Sequence, residues 1–152
     1  MEWMSVSRVR TLLCASLVVL VSACGDNNVI GIGVNPTPEP PIVLTVTFSG
    51  TITRNSAYTH PFTVGDQGNV SVYLLNSADT ADPNNNSLPL GVSLGTWNGS
   101  ACVIVIANDQ MLPGSSVPLT GRATSAGNLC VRVYDVGYVP AAANYELLID
   151  HY

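Results

Sequence analysis

Ile42-Val43-Leu44-Thr45-Val46-Thr47-Phe48-Ser49 is the stretch that decides the fold. Leu44, Val46 and Phe48 fall on one side of an extended chain and Thr45 and Thr47 on the other, which is the two-residue period of a half-buried strand. The same pattern recurs to the end of the chain. Ala57–Val64 puts Tyr58, His60, Phe62 and Val64 on one parity. After the turn Gly65-Asp66-Gln67-Gly68-Asn69, Val70–Leu75 repeats it with Val70, Val72 and Leu74. Leu88–Trp97 does so with Leu90, Val92 and Leu94. Cys102–Ala107 (CVIVIA) is apolar without a break, as a strand covered on both faces would be. Leu129–Val136 and Asn144–Asp150 complete the set, the latter with Tyr145, Leu147 and Ile149 inward. No segment of this region keeps a 3.6-residue apolar period. Strands of this kind, repeating every roughly 8–14 residues between turn signals, predict an all-β domain over residues 42–152: an antiparallel β-sandwich of jelly-roll type.

Upstream of Ile42 the character of the chain changes. Asn35-Pro36-Thr37-Pro38-Glu39-Pro40-Pro41 alternates proline with polar residues and predicts an extended, disordered linker over residues 24–41. At about 3.1 Å per residue such a segment reaches ~50 Å. Before it, Arg8 and Arg10 precede the charge-free run Thr11–Val21 (TLLCASLVVLV), which is too short to cross a bilayer and of the length of a signal-peptide core, predicted to be helical. Val21-Ser22-Ala23-Cys24 resembles the bacterial lipobox, with an aliphatic residue three places before the cysteine and two small residues between. The resemblance implies a signal peptide over residues 1–23, cleavage after Ala23 and diacylglyceryl and acyl (palmitate-type) modification of Cys24. Two or more chains make membrane attachment stable where one does not. Gly25, where enterobacterial sorting signals for the inner membrane carry Asp, implies the outer membrane. Cys14 lies inside the core that would be removed.

Composition restricts the function classes. The chain has five basic and ten acidic residues. Without the leader, Arg54, Arg122 and Arg132 face nine acids, and there is no lysine. Such a surface lacks the cationic footprint that nucleic acid or an anionic lipid surface requires. Of the four cysteines, Cys102 and Cys130 remain once Cys24 is lipidated. Both stand in predicted strands of an exported chain, where oxidation is allowed. A disulfide is expected, with two buried thiols or a metal site as the competing readings. The alternation does not say whether the pair lies inside the sandwich or on its face.

Phe48-Ser49-Gly50-Thr51-Ile52, Tyr58 with Pro61-Phe62-Thr63-Val64, Gly68-Asn69-Val70-Ser71-Val72, Gly127-Asn128-Leu129-Cys130-Val131-Arg132-Val133-Tyr134-Asp135 and Asn144-Tyr145-Glu146-Leu147 follow one another in an order that resembles the bacterial pre-peptidase C-terminal domain. That resemblance spans about Phe48 to Tyr152. It implies a jelly-roll β-sandwich without catalytic activity, of a kind that accompanies secreted enzymes.

The remaining chemistry is sparse. Gly91-Val92-Ser93-Leu94-Gly95 matches G-x-S-x-G, but it lies mid-strand and is followed by a turn rather than a helix, so Ser93 is read as a solvent-facing strand serine and no catalytic residue is expected. His60 is read as a partly buried strand residue and His151 as terminal, neither with neighbouring ligands. Asp79, Asp82 and Asn84 lie in an oxygen-rich loop, Asp79–Asn86, that fits calcium by donor type but lacks the glycine and bidentate glutamate of an EF-hand. It reads as a solvated turn, with calcium the alternative and no other cofactor expected. The Asn-x-Ser triplets at Asn69, Asn85 and Asn98 are not glycosylation sites if the protein is bacterial. Trp97, Tyr138 and Tyr152 are candidate exposed aromatics; Trp97, before Asn98-Gly99, is the best candidate for a sugar platform. Together these expectations describe an envelope lipoprotein presenting a non-catalytic β-sandwich to a protein partner, or to a polysaccharide through Trp97.

Overall fold

The computed structural model describes residues 42–152. The segments expected to be a signal peptide (1–23) and a linker (24–41), with the expected lipidation site Cys24, lie outside the described residues. Eight strands follow one another: β1 (Leu44–Thr53), β2 (Ala57–Val64), β3 (Gly68–Asp79), β4 (Leu90–Trp97), β5 (Cys102–Met111), β6 (Leu119–Ala123), β7 (Gly127–Tyr134) and β8 (Ala142–His151). They form two antiparallel sheets of four, ordered β1-β8-β3-β6 and β2-β7-β4-β5. β1 to β4 alternate between the two sheets, β5 pairs back on β4, and β6 to β8 alternate again. This is the jelly-roll winding.

The inward faces follow the predicted alternation, except that Leu44 and Tyr58 are exposed and Val46 and Phe48 only half-buried. Ile52, Phe62, Val64, Val70, Val72, Leu74, Leu90, Val92, Leu94, Tyr145, Leu147 and Ile149 are all buried in one core between the sheets. β2 coincides with its predicted bounds, while β1 and β3 run on past theirs to Thr53 and Asp79. β6 has no counterpart in the sequence reading. It is five residues long with only Leu119 and Ala123 buried, and its middle inward position is Gly121. A Cβ there would stand 2.7 Å from Leu94 Cδ2 of the opposite sheet, so the side chain that would have marked the strand has been displaced by its neighbour.

Two expectations are corrected. Cys102–Ala107 is not covered on both faces: β5 is the edge strand of its sheet, and Val103, Ile104, Val105 and Ile106 are all exposed. An unbroken apolar run states that neither face was selected for water, not that both are covered. Ser93 is not solvent-facing either; it is fully buried on the outer side of its sheet, and its hydroxyl donates to the Arg132 carbonyl at 3.5 Å. Further, His151, although next to the chain end, is buried against Phe62, with ring centroids 5.6 Å apart.

Candidate binding face and edge

The register of β2, β7, β4 and β5 lays out the outer face of their sheet in rows. Thr63 lies opposite Asn128, Pro61 opposite Cys130, Thr59 opposite Arg132 and Ala57 opposite Tyr134. On the other side of β7, Cys130 meets Gly95, Arg132 meets Ser93 and Tyr134 meets Gly91. β4 therefore presents two glycines and a serine outward, leaving a trough. Two cross-links fill it. The Cys102–Cys130 disulfide joins β7 to β5 across β4, and the Tyr134 ring passes over Gly91 to donate its hydroxyl to Asp109 of β5.

The disulfide joins strands that are not neighbours, since β4 lies between β7 and β5. Two strand spacings would separate them by roughly 9.6 Å, yet the Cα atoms of Cys102 and Cys130 are 5.8 Å apart. The start of β5 must bend over β4, and Gly95 is where it crosses. A Cβ on Gly95 would lie 2.7 Å from the Val103 carbonyl carbon and 2.9 Å from Ile104 Cα. At Gly91 a Cβ would meet the Tyr134 ring, with Cδ2 at 2.6 Å. Burial, and then the hydrogen bond to Asp109, push the Tyr134 hydroxyl up to about 12, so it stays a donor across the physiological range. The disulfide is thus on the sandwich face, with Cys130 fully buried under it. One covalent and one hydrogen-bonded brace clamp the edge strand to β7.

Trp97 ends β4, as in the predicted strand Leu88–Trp97, and it is half-buried. It forms the ridge between two open depressions on this face. One, of about 500 Å³, includes Pro61, Thr63, Asn98 and Asn128. The other, of about 320 Å³, is lined by Thr59, Ser100, Ala101, Cys102 and Arg132. The Arg132 guanidinium lies 5.7 Å from the Tyr134 ring centroid, and among the described residues it has no carboxylate in salt-bridge contact. Sequence reading found Trp97 but missed Arg132, Thr59 and Asn128. The available signal was Gly91-x-Ser93-x-Gly95, every second residue small, which marks an outer face stripped of side chains.

The flank where β5 and β6 close the sandwich is apolar. Val105 is 74% exposed and Val103 52%, with Leu112 and Val117 exposed in the connection that follows. A notch of about 80 Å³ opens there among Val70, Leu94, Val105, Ile106, Ala123 and Leu129. β5 carries a bulge at Val105, where Leu94 and Gly95 of β4 pair with Ile106 and Ile104.

No protein-family model matches this chain, and no curated protein matches it. Among solved structures it is similar to PliG of Aeromonas hydrophila, a periplasmic lysozyme inhibitor of g-type lysozyme, at 12% identity over 69% of this chain and 83% of that one, with a TM-score of 0.46. It is also similar to a protein of the Bacillus endospore appendages, described as disulfide-linked pili, at 12% identity over 72% and 87% of the two chains, with a TM-score of 0.35.

The other sequence candidates are dispersed. Asp79 ends β3, and its carboxylate accepts the Ala81 amide; Asn86 accepts the Ser77 amide and donates to the Leu75 carbonyl. These contacts tie the Asp79–Asn86 loop to itself and to β3. Asp82 and Asn84 are exposed in it. Among the described residues no group of three His, Cys, Asp or Glu side chains is placed to hold a metal. Tyr138 is exposed between β7 and β8, and Tyr152 lies half-buried over Gly68. Neither joins Trp97 in lining either depression.

His60 faces the core, stacked on Phe48 at 4.7 Å and 2.8 Å from the Tyr145 hydroxyl through Nε2. Burial holds its pKa below the usual 6.5. The folded state therefore disfavours the imidazolium, and stability is complete above about pH 6.5 and lost as the pH falls through the folded value. Urea midpoints should drop between pH 7.5 and 5, by less in His60→Gln; equal slopes in the two proteins would assign the drop elsewhere.

Proposed function

We propose that this chain is a lipid-anchored envelope protein whose β-sandwich binds a protein partner without catalysing a reaction. One observation carries the reading: the edge strand β5 offers four consecutive exposed aliphatic residues, Val103 to Ile106, free of charge and braced to β7 from both ends. Exposed apolar patches on otherwise polar domains are commonly interaction sites. The bracing lowers the entropy lost when a partner orders the surface. The Val105 bulge breaks the open ladder, which limits edge-to-edge association of free copies. A partner then packs on the side chains and the adjoining notch. The pre-peptidase-like order of the strands is compatible with this role, as is lipid on Cys24 followed by a proline-rich tether, with the outer membrane as the favoured address.

A photo-reactive residue at position 105, compared with one at the exposed turn residue Gln67, tests this in cells. A discrete protein adduct should form from position 105 only and fractionate with membranes, and Cys24→Ala should release it from them. No adduct at 105, or the same adducts from both positions, would refute the docking strand. A Cys24→Ala protein that stays on membranes through high-salt washing would refute the anchor.

A further inference from the structure

We infer that the Trp97–Arg132 groove is a second binding site, for an acidic saccharide: a pyranose stacks on the indole while its carboxylate meets the Arg132 guanidinium. The site is separate from the β5 flank and does not depend on it.

Three features of the groove converge on that ligand. An indole that forms a ridge between two depressions offers an apolar surface on which the C–H face of a sugar ring can rest. Arg132 is placed in the wall of the same groove. Its position is set by Tyr134, whose own ring is held by Asp109, so the cation is oriented before a ligand arrives. Arg54 is occupied by the carbonyls of Val139 and Pro140, whereas Arg132 keeps its guanidinium N–H donors unused among the described residues. Planar guanidinium matches carboxylate in a two-point hydrogen bond. The rest of the wall is neutral and polar. Thr59 and Ser100 supply hydroxyls beside Arg132, and across the indole Thr63 and Asn128, whose amide oxygen accepts from Thr63, line the second depression. Sugar hydroxyls require such donors and acceptors.

Charge selects within the sugars. The described residues hold seven acids against Arg54, Arg122 and Arg132, so a polyanion is repelled by most of the surface. An anionic ligand is tolerated only where the local potential is reversed, and on this face Arg132 is the cation. A short uronate-bearing oligomer, with one carboxylate on Arg132 and the others turned to solvent, suits that arrangement better than a long polyanion.

The test is calorimetric titration of the full chain in detergent with oligogalacturonate, oligoalginate and hyaluronate oligomers, each against its methyl ester. At least one acid form should bind, at about tenfold or more the affinity of its ester. Arg132→Gln should remove that preference and leave ester binding in place; Trp97→Ala should weaken acid and ester alike, by about tenfold or more. Melting curves of both variants establish that they fold, and Trp97→Phe, which retains a ring, should recover part of the affinity. Cross-linking from position 105 should be unchanged in Arg132→Gln. The assignment fails if none of the three polymers binds, if the esters bind as well as the acids, if Arg132→Gln retains the preference, or if oligoglutamate competes equally, since that would indicate an acidic peptide.

Discussion

Gly95→Ala should destabilise the domain by about 3 kcal/mol or more, at the upper end of what overpacking costs. For a domain of this size that is a fall of roughly 10–20 °C in melting temperature. The added methyl would have to occupy space held by the backbone of Val103 and Ile104. Backbone cannot swing aside as a side chain end can. Relief requires lifting the start of β5 away from β4, which strains the disulfide that holds it there. Gly65→Ala is the matching control, because a Cβ at Gly65 meets nothing within 4 Å. Thermal melts of the two variants separate the cases, and a Gly95→Ala protein that melts within a degree or two of the Gly65→Ala protein would show that β5 does not cross Gly95.

Removing the Cys102–Cys130 bond by double serine substitution should cost about 3.6 kcal/mol, the chain-entropy value for a loop of this length. The loss has a second, local signature. Because the bond braces an edge strand across its neighbour, amide exchange should quicken first along β5 from Cys102 to Ala107, with the β1–β8 pairing little changed. The two substitutions should also couple. Once the disulfide is gone, β5 can rise off β4, so Gly95→Ala should cost less in the double-serine background than in the native one. Denaturant titration of the four proteins gives the coupling directly; strict additivity, or a disulfide worth less than about 1 kcal/mol, would mean the brace does not hold the strand down.

These effects concern the part of the molecule that local pattern reads least well. β2 is legible residue by residue, since Phe62 and Val64 alternate with Pro61 and Thr63 and the turn residues on either side end the run. β6 is not, because its middle inward side chain was given up to Leu94 of the opposing sheet. The parity of Ser93, opposite that of Val92 and Leu94, is right about the face and wrong about the cover. Its shielding comes from Arg132 directly opposite, Tyr134 over Gly91 and β5 over Gly95, none of which is near it in the chain. At the site, Trp97 was visible as an aromatic residue before a turn, whereas its partner Arg132 was one arginine among three until β7 placed it beside Thr59 and the indole.

The sequence by itself determined seven of the eight strands and, where they alternate, which side faces inward, because the pleat has a period of two and every residue carries its own preference for oil or water. Only the tertiary structure decided that CVIVIA is an exposed edge rather than a covered centre. It also decided that the disulfide spans two strand spacings and that Trp97 shares a groove with Arg132. Strand order arises from pairings between distant residues, and a local hydrophobic period is the same whether a strand has a neighbour on one side or on two.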